Sequence, residues 1–206
     1  MVNEKEVLHI SIAIILMAII ISYLSELTSF IYALAYSIII ILLSISIKTI
    51  YAYNRDIRIT HSIWKFKRYW FYKNAYFKKH IPIGLILPLL LSILSTGSIK
   101  CLLFLQYDGE AMPSKVTKRK GDKRFPNIME WDLALISFYG LLAGLILSFI
   151  SFKLNLHDLA FYSWLYSSLN MLPIGNLDGI KTFFGSKPLY ILSLILIVIF
   201  ALILFI

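Results

Sequence analysis

A chain of 206 residues ordinarily forms one domain or two small ones, but this composition excludes an ordinary soluble fold. Hydrophobic residues make up 59% and charged residues only 15%, against about 25% charged in a typical globular chain. A chain this small cannot bury so much apolar surface inside itself, so lipid must solvate part of it. One cysteine, Cys101, excludes an internal disulfide or a cysteine-based zinc cluster, and the net charge of +9 has to be read from its placement.

Charged residues cut the sequence into uncharged runs of nearly constant length. The runs after Glu6, Glu26, Lys79, Asp132, Asp158 and Lys187 contain 19, 21, 20, 20, 19 and 19 residues. A helix needs about 20 mostly apolar residues to cross a hydrocarbon layer of ~30 Å. The expected fold class is therefore all-α: a polytopic helical membrane protein with about five full spans and one re-entrant segment. A β-barrel would alternate apolar and polar residues, which Ile38-Ile39-Ile40-Ile41-Leu42-Leu43 does not.

In chain order, the first span covers about 7–25. Its flank, Asn3-Glu4-Lys5-Glu6, is not basic and no small-x-small site follows, so it does not read as a cleavable signal. The second span covers about 29–52. A basic loop, 53–80, then carries eight Lys and Arg against Asp56 alone, and a second, 107–131, carries six against four acids. The bias of Lys and Arg toward cytoplasmic loops expects both inside. The run between them, 81–106, would place them on opposite sides if it crossed once. It contains Pro82, Gly84, Pro88 and the polar bend Ser95-Thr96-Gly97-Ser98, and such irregular backbone survives at membrane depth only where protein or a cavity covers it. It is read as re-entrant, with a kinked single span as the alternative. Spans at about 132–152, 158–174 and 186–206 complete a single membrane-embedded domain, multi-pass in the cell membrane, with a cytoplasmic amino terminus.

Within the first basic loop, residues 64–73 interleave cations with aromatics. Nucleic-acid binders use that mixture, but so does an interfacial segment lying against anionic lipid. With membrane segments on both sides, the partners expected are membrane lipids and transmembrane segments of other proteins, and no nucleic acid.

Chemistry is sparse. None of His9, His61, His80 and His157 has a second histidine four residues away or a glutamate after it, so the His-Glu-x-x-His zinc motif is absent. One feature stands out: Asn170-Met171-Leu172-Pro173-Ile174-Gly175-Asn176-Leu177-Asp178-Gly179 breaks an apolar helix and restarts it at an aspartate. An ionisable group at membrane depth marks a functional site by default. The alternative is an N-cap, with the Asp178 carboxylate accepting amide hydrogens of the last helix.

Asn-x-x-Pro-x-x-x-Leu-Asp-Gly resembles the second metal-binding motif of the site-2 protease family of intramembrane zinc metalloproteases, and the looser likeness extends over about 30–206. The resemblance implies that Asp178 holds the position of the third zinc ligand. It also implies that Asn170 and Pro173 shape the motif loop, with Leu177 and Gly179 flanking the ligand. The first motif, which supplies two histidines and a catalytic glutamate in that family, falls on Ser44-Ile45-Ser46-Ile47-Lys48. Ser44 and Lys48 then stand at the histidine positions and Ile45 at the glutamate position. No catalytic residue is assigned. The resemblance with these departures implies a catalytically inactive homologue, a pseudoprotease that binds membrane partners and needs no cofactor. The alternatives are an active intramembrane zinc metalloprotease recruiting zinc ligands such as His61 or His80, and a small transporter or lipid-binding membrane protein.

Overall fold

The computed structural model describes residues 4–23, 27–68, 76–112, 119–120, 123–124 and 128–205. Among these, seven helices follow in order: α1 (Glu4–Ser22), α2 (Leu27–Asn54), α3 (Ile83–Leu94), α4 (Glu130–Lys153), α5 (His157–Asn170), α6 (Asp178–Gly185) and α7 (Lys187–Phe205). Four of them, α1, α2, α4 and α7, are long and apolar enough to cross a membrane. The protein is mostly helical, as the uncharged runs require.

One expectation is corrected. The fold is not all-α, because strands form inside both basic loops: β1 (Ile57–Ile63), β2 (Phe66–Arg68), β3 (Tyr76–Ile81), β4 (Leu105–Ala111), β5 (Arg119–Lys120) and β6 (Lys123–Arg124). They pair as β1 with β4, β2 with β3 and β5 with β6. In β1 the buried positions alternate, with Ile57, Ile59, His61 and Ile63 turned inward, the two-residue period of a half-buried strand. Over the expected span at 158–174 the structure has a helix of 14 residues, ~21 Å long at 1.5 Å per residue.

The residues pack as two compact units: 1–38 with 61–106, and 39–60 with 107–206. In the first, the segment 81–106 folds back on itself. Trp64 binds both of its arms, its N–H donating to the Phe104 carbonyl at 2.8 Å and its carbonyl accepting from Gly84 N–H at 2.9 Å. A Cβ at Gly84 would collide with the Phe104 carbonyl and the Trp64 backbone, so glycine permits this approach. α3 leads away from that point to a turn at Ser95–Ser98, where Gly97 has φ +82°. The chain returns through Cys101, Leu102, Leu103 and Phe104, all buried. At the turn, Lys100 Nζ donates to the Ile21 carbonyl at 3.2 Å, placing a cation on the last turn of α1, where the helix dipole favours it. At the other end of α1, Glu6 Oε1 accepts from His61 N–H at 2.8 Å and faces His61 Nδ1 at 3.1 Å. Within this unit, α1 is therefore held near its start by β1 and at its end by the turn of the 81–106 segment.

In the second unit, α4 is the central element, packed against α5, α6 and α7. Small residues bring α4 and α5 together: Ser163 Oγ donates to the Gly144 carbonyl and Ser148 Oγ to the Ala160 carbonyl, each at 2.7 Å. Close approach of small residues with hydroxyl–carbonyl bonds holds helices together where lipid removes the hydrophobic drive between them. Leu141, Leu145 and Met171 form an apolar cluster with α7 side chains including Leu196, Ile197 and Phe200. A second cluster joins Ala52, Ile57, Ile59, Tyr107 and Ile136.

Candidate functional site

The site lies in the second unit and is built from α2, β4, α4, α5 and the start of α6. On α2, Ser44 and Lys48 stand one turn apart on the same face, and both are buried. Ile45, one position round, is partly exposed. On α6, Asp178 is buried, 6% exposed. The Lys48 ammonium donates to Asp178 Oδ2, an ion pair between residues 130 apart in sequence. Removing both charges from water costs several kcal/mol, which only good geometry offsets.

Asp178 is the first residue of α6, not its cap. The capping position is Leu177, extended at φ −73° and ψ 172°, with no side-chain cap hydrogen bond. The N-cap reading of Asp178 is therefore corrected: the carboxylate faces Lys48 instead of its own helix amides. Its place in the first turn still favours the negative charge.

Each motif residue has a distinct task. The Asn170 side-chain amide donates to the Tyr166 carbonyl at 2.8 Å, closing the last turn of its own helix. Pro173 is exposed in the connecting loop, which turns through Gly175 at φ +60°. Leu177 is fully buried. At Gly179 a Cβ would collide with the carbonyl of Met171 and the backbone of Leu172, so only glycine lets α6 start against the end of α5. Gly140 serves Lys48 in the same way, because a Cβ there would occupy the space of the lysine stem.

A cavity of about 10 Å³ opens beside the ion pair, lined by Ser44, Ser137, Tyr166, Ser167, Asn170 and Asp178 among others. That is the space of one water molecule. Ser44 bonds the Tyr166 phenol.

Two residues that the sequence reading passed over complete the site. Tyr107, 1% exposed, donates its phenol to the Leu133 carbonyl at 2.8 Å and meets Ser137 Oγ at 2.7 Å. Burial, reinforced by the Asp178 carboxylate, raises that phenol well above its usual range and keeps it neutral. Two ammonium groups lie over its ring, Lys181 Nζ at 3.3 Å and Lys48 Nζ at 5.5 Å from the centroid. Lys181 also donates to the Tyr107 carbonyl. Burial lowers its pKa to about 8, against the opposing pull of Asp178 and Asp108. The signal for Lys181 was its spacing, three residues beyond Asp178 and so on the same helix face. Tyr107 had no such signal, since its role depends on a strand that brings it from a distant segment.

A zinc site takes three protein ligands from Cys, His, Asp or Glu, and the α2 side chains beside Asp178 are Ser44 and Lys48, which belong to none of these types. Among the described residues no three such side chains converge. His61 is engaged with Glu6, and the side chain of His80 lies outside the described residues. Comparison with protein-family models, with curated proteins and with solved structures finds no match. Chemically, the arrangement neutralises a buried carboxylate with an internal ammonium and ties α2 to the start of α6.

Proposed function

We propose that the chain is a membrane protein of the site-2 protease type whose metal site has been exchanged for an internal ion pair, and that it acts by binding a neighbouring transmembrane segment without cleaving it. The observation that carries this reading is the Lys48 ammonium on the Asp178 carboxylate. The cation comes from the first-motif segment and the acid from the Asn170–Gly179 motif, which is the pairing of segments that the resemblance implies. A carboxylate held by an ammonium is not free to ligate a cation.

The same proposal sets the topology. With a cytoplasmic amino terminus, α1 leads out, α2 returns, 81–106 enters and leaves from the inside, α4 leads out and α7 ends outside. The shared Trp64 contacts of Gly84 and Phe104 support the re-entrant path. The short α5 is also accommodated. Lys48 lies ~9 Å inside the Asn54 end of α2, so a ~21 Å helix starting at the outer boundary reaches the depth of the ion pair without crossing fully.

Rebuilding the metal site tests the segment pairing. In the Ser44→His/Lys48→His variant, two imidazoles one turn apart should face Asp178. The purified variant should take up about one zinc per chain, and a further Asp178→Asn change should remove it. A folded variant that binds no zinc would contradict the family-type geometry. A photo-cross-linker at Ile146, which is 54% exposed on α4, reads the second half of the proposal. Adducts with a transmembrane segment support partner binding, whereas adducts with lipid alone overturn it.

A further inference from the structure

The short helix α6 is built inside out. Asp178, Gly179 and Thr182, spaced by three and four residues, share the face that is buried. Ile180, Phe183 and Phe184 share another, on which Ile180 is half-buried and both phenylalanines are exposed, Phe184 at 67%. A surface helix in water turns its apolar face to the core instead. Three contacts fix the inward face. Asp178 holds Lys48, Gly179 lies against the Met171 carbonyl, and Gly185 lies so close to the Glu130 carbonyl that a Cβ there would collide with it. The aromatics cannot turn inward without breaking these contacts.

The position of α6 says what covers its outer face. Its end lies beside Glu130, the first residue of α4, and Ser186 alone separates it from α7. It therefore ends where two helices long and apolar enough to cross a membrane begin. Exposed charges, Glu130 and Lys187, stand at that level. So do the exposed Trp131 and the ring of Tyr190, which meets Phe183 edge-on at 5.4 Å, while Phe183 meets Phe184 edge-on at 5.5 Å. Aromatic side chains collect in this way at the headgroup level of a membrane.

We infer that α6 is an interfacial anchor: the face of Ile180, Phe183 and Phe184, with the exposed Ile174 of the preceding loop, lies among the acyl chains just beneath the headgroups of the leaflet in which α4 and α7 begin. Lys187 argues for lipid over a second protein surface. It is exposed three residues before Tyr190, on the same side of α7. A leaflet receives the rings among its first methylenes and the ammonium at its phosphates, whereas a protein surface laid over the rings would take the ammonium out of water. The anchor also sets the depth of Asp178, which belongs to the opposite face of the same helix. The inference rests on the membrane placement of α4 and α7 and is independent of whether Asp178 ever held a metal.

Power-saturation spectroscopy of spin-labelled single cysteines tests it, in the full chain carrying Cys101→Ser and reconstituted in phosphatidylcholine–phosphatidylglycerol vesicles. Molecular oxygen concentrates in hydrocarbon, and a nickel chelate stays in water. Labels at Phe184→Cys and Ile174→Cys are read against two references at exposed positions, Val198→Cys on α7 for lipid and Glu110→Cys on β4 for water. Both test labels should be more accessible to oxygen than to nickel. The Phe184 label should read a depth of about 5–10 Å, that of an interfacial helix, and lie shallower than Val198. Should Phe184→Cys fail to fold, Ile174→Cys in the exposed loop decides alone. Nickel access exceeding oxygen access at either position would place the face in water. Low access of both reagents would place it under protein, a partner segment or a second copy. Each result would overturn the anchor. A Val198 label open to nickel would overturn it together with the membrane placement of α7.

Discussion

The ammonium of Lys48 on α2 and the carboxylate of Asp178 on α6 form a buried ion pair across 130 residues of sequence. Both groups are about 6% exposed, so each has given up most of its hydration to the other. Removing one partner of such a pair leaves an uncompensated charge and costs about 3–5 kcal/mol. Asp178→Leu and Lys48→Met should each destabilise the protein on that scale. The double variant should recover much of the loss, because no orphan charge remains. Denaturation in detergent of the two single variants and the double closes the cycle. Additive losses would mean that the pair carries no coupling.

The Gly179 position gives a steric prediction. Gly179→Ala drives a methyl group into the Met171 carbonyl, and that backbone cannot yield without moving α6 away from α5. The variant should melt lower than the native protein by an amount typical of overpacking, about 1–3 kcal/mol. A stability equal to the native protein would show that α6 does not start where the structure places it.

Lys181 makes stability depend on alkaline pH. Its folded pKa of about 8 lies below its ordinary 10.5, so between those values the unfolded chain holds more protons than the folded one. Stability therefore rises with pH across that window. The melting temperature should climb between pH 8 and 9.5, and Lys181→Met should flatten the rise. A melting temperature that falls equally in both proteins would remove Lys181 as its source.

The four long helices were legible because a hydrocarbon layer imposes one length on every span, and charges marked its edges at Glu6, Glu26, Asp132, Lys153 and Lys187. The strands were not. β1 carries an alternating pattern in Ile57, Ile59, His61 and Ile63, but it is short and lies in a loop whose dominant sequence signal is its eight Lys and Arg. The shortness of α5 was hidden too, since an uncharged run shows where no charge is buried and not where the helix ends. In the site, Asp178 and Lys48 were legible as an aspartate and a lysine in otherwise apolar segments. Tyr107 was not, because its place beside them is set by tertiary folding.

The re-entrant path makes its own prediction. Single cysteines at Lys73, which lies outside the described residues, and at Lys120 on β5 should react with a membrane-impermeant reagent from the same side in a Cys101→Ser background. Labelling from opposite sides would mean that 81–106 crosses completely.

Metal content tests the central proposal most directly. Purified without chelator and after exposure to zinc, the native chain should carry well below one zinc per molecule. Its melting temperature in detergent should be unchanged by a chelator, because Lys48 already neutralises Asp178. One tightly held zinc per chain, lost with a fall in melting temperature on chelation and absent from Asp178→Asn, would contradict the account.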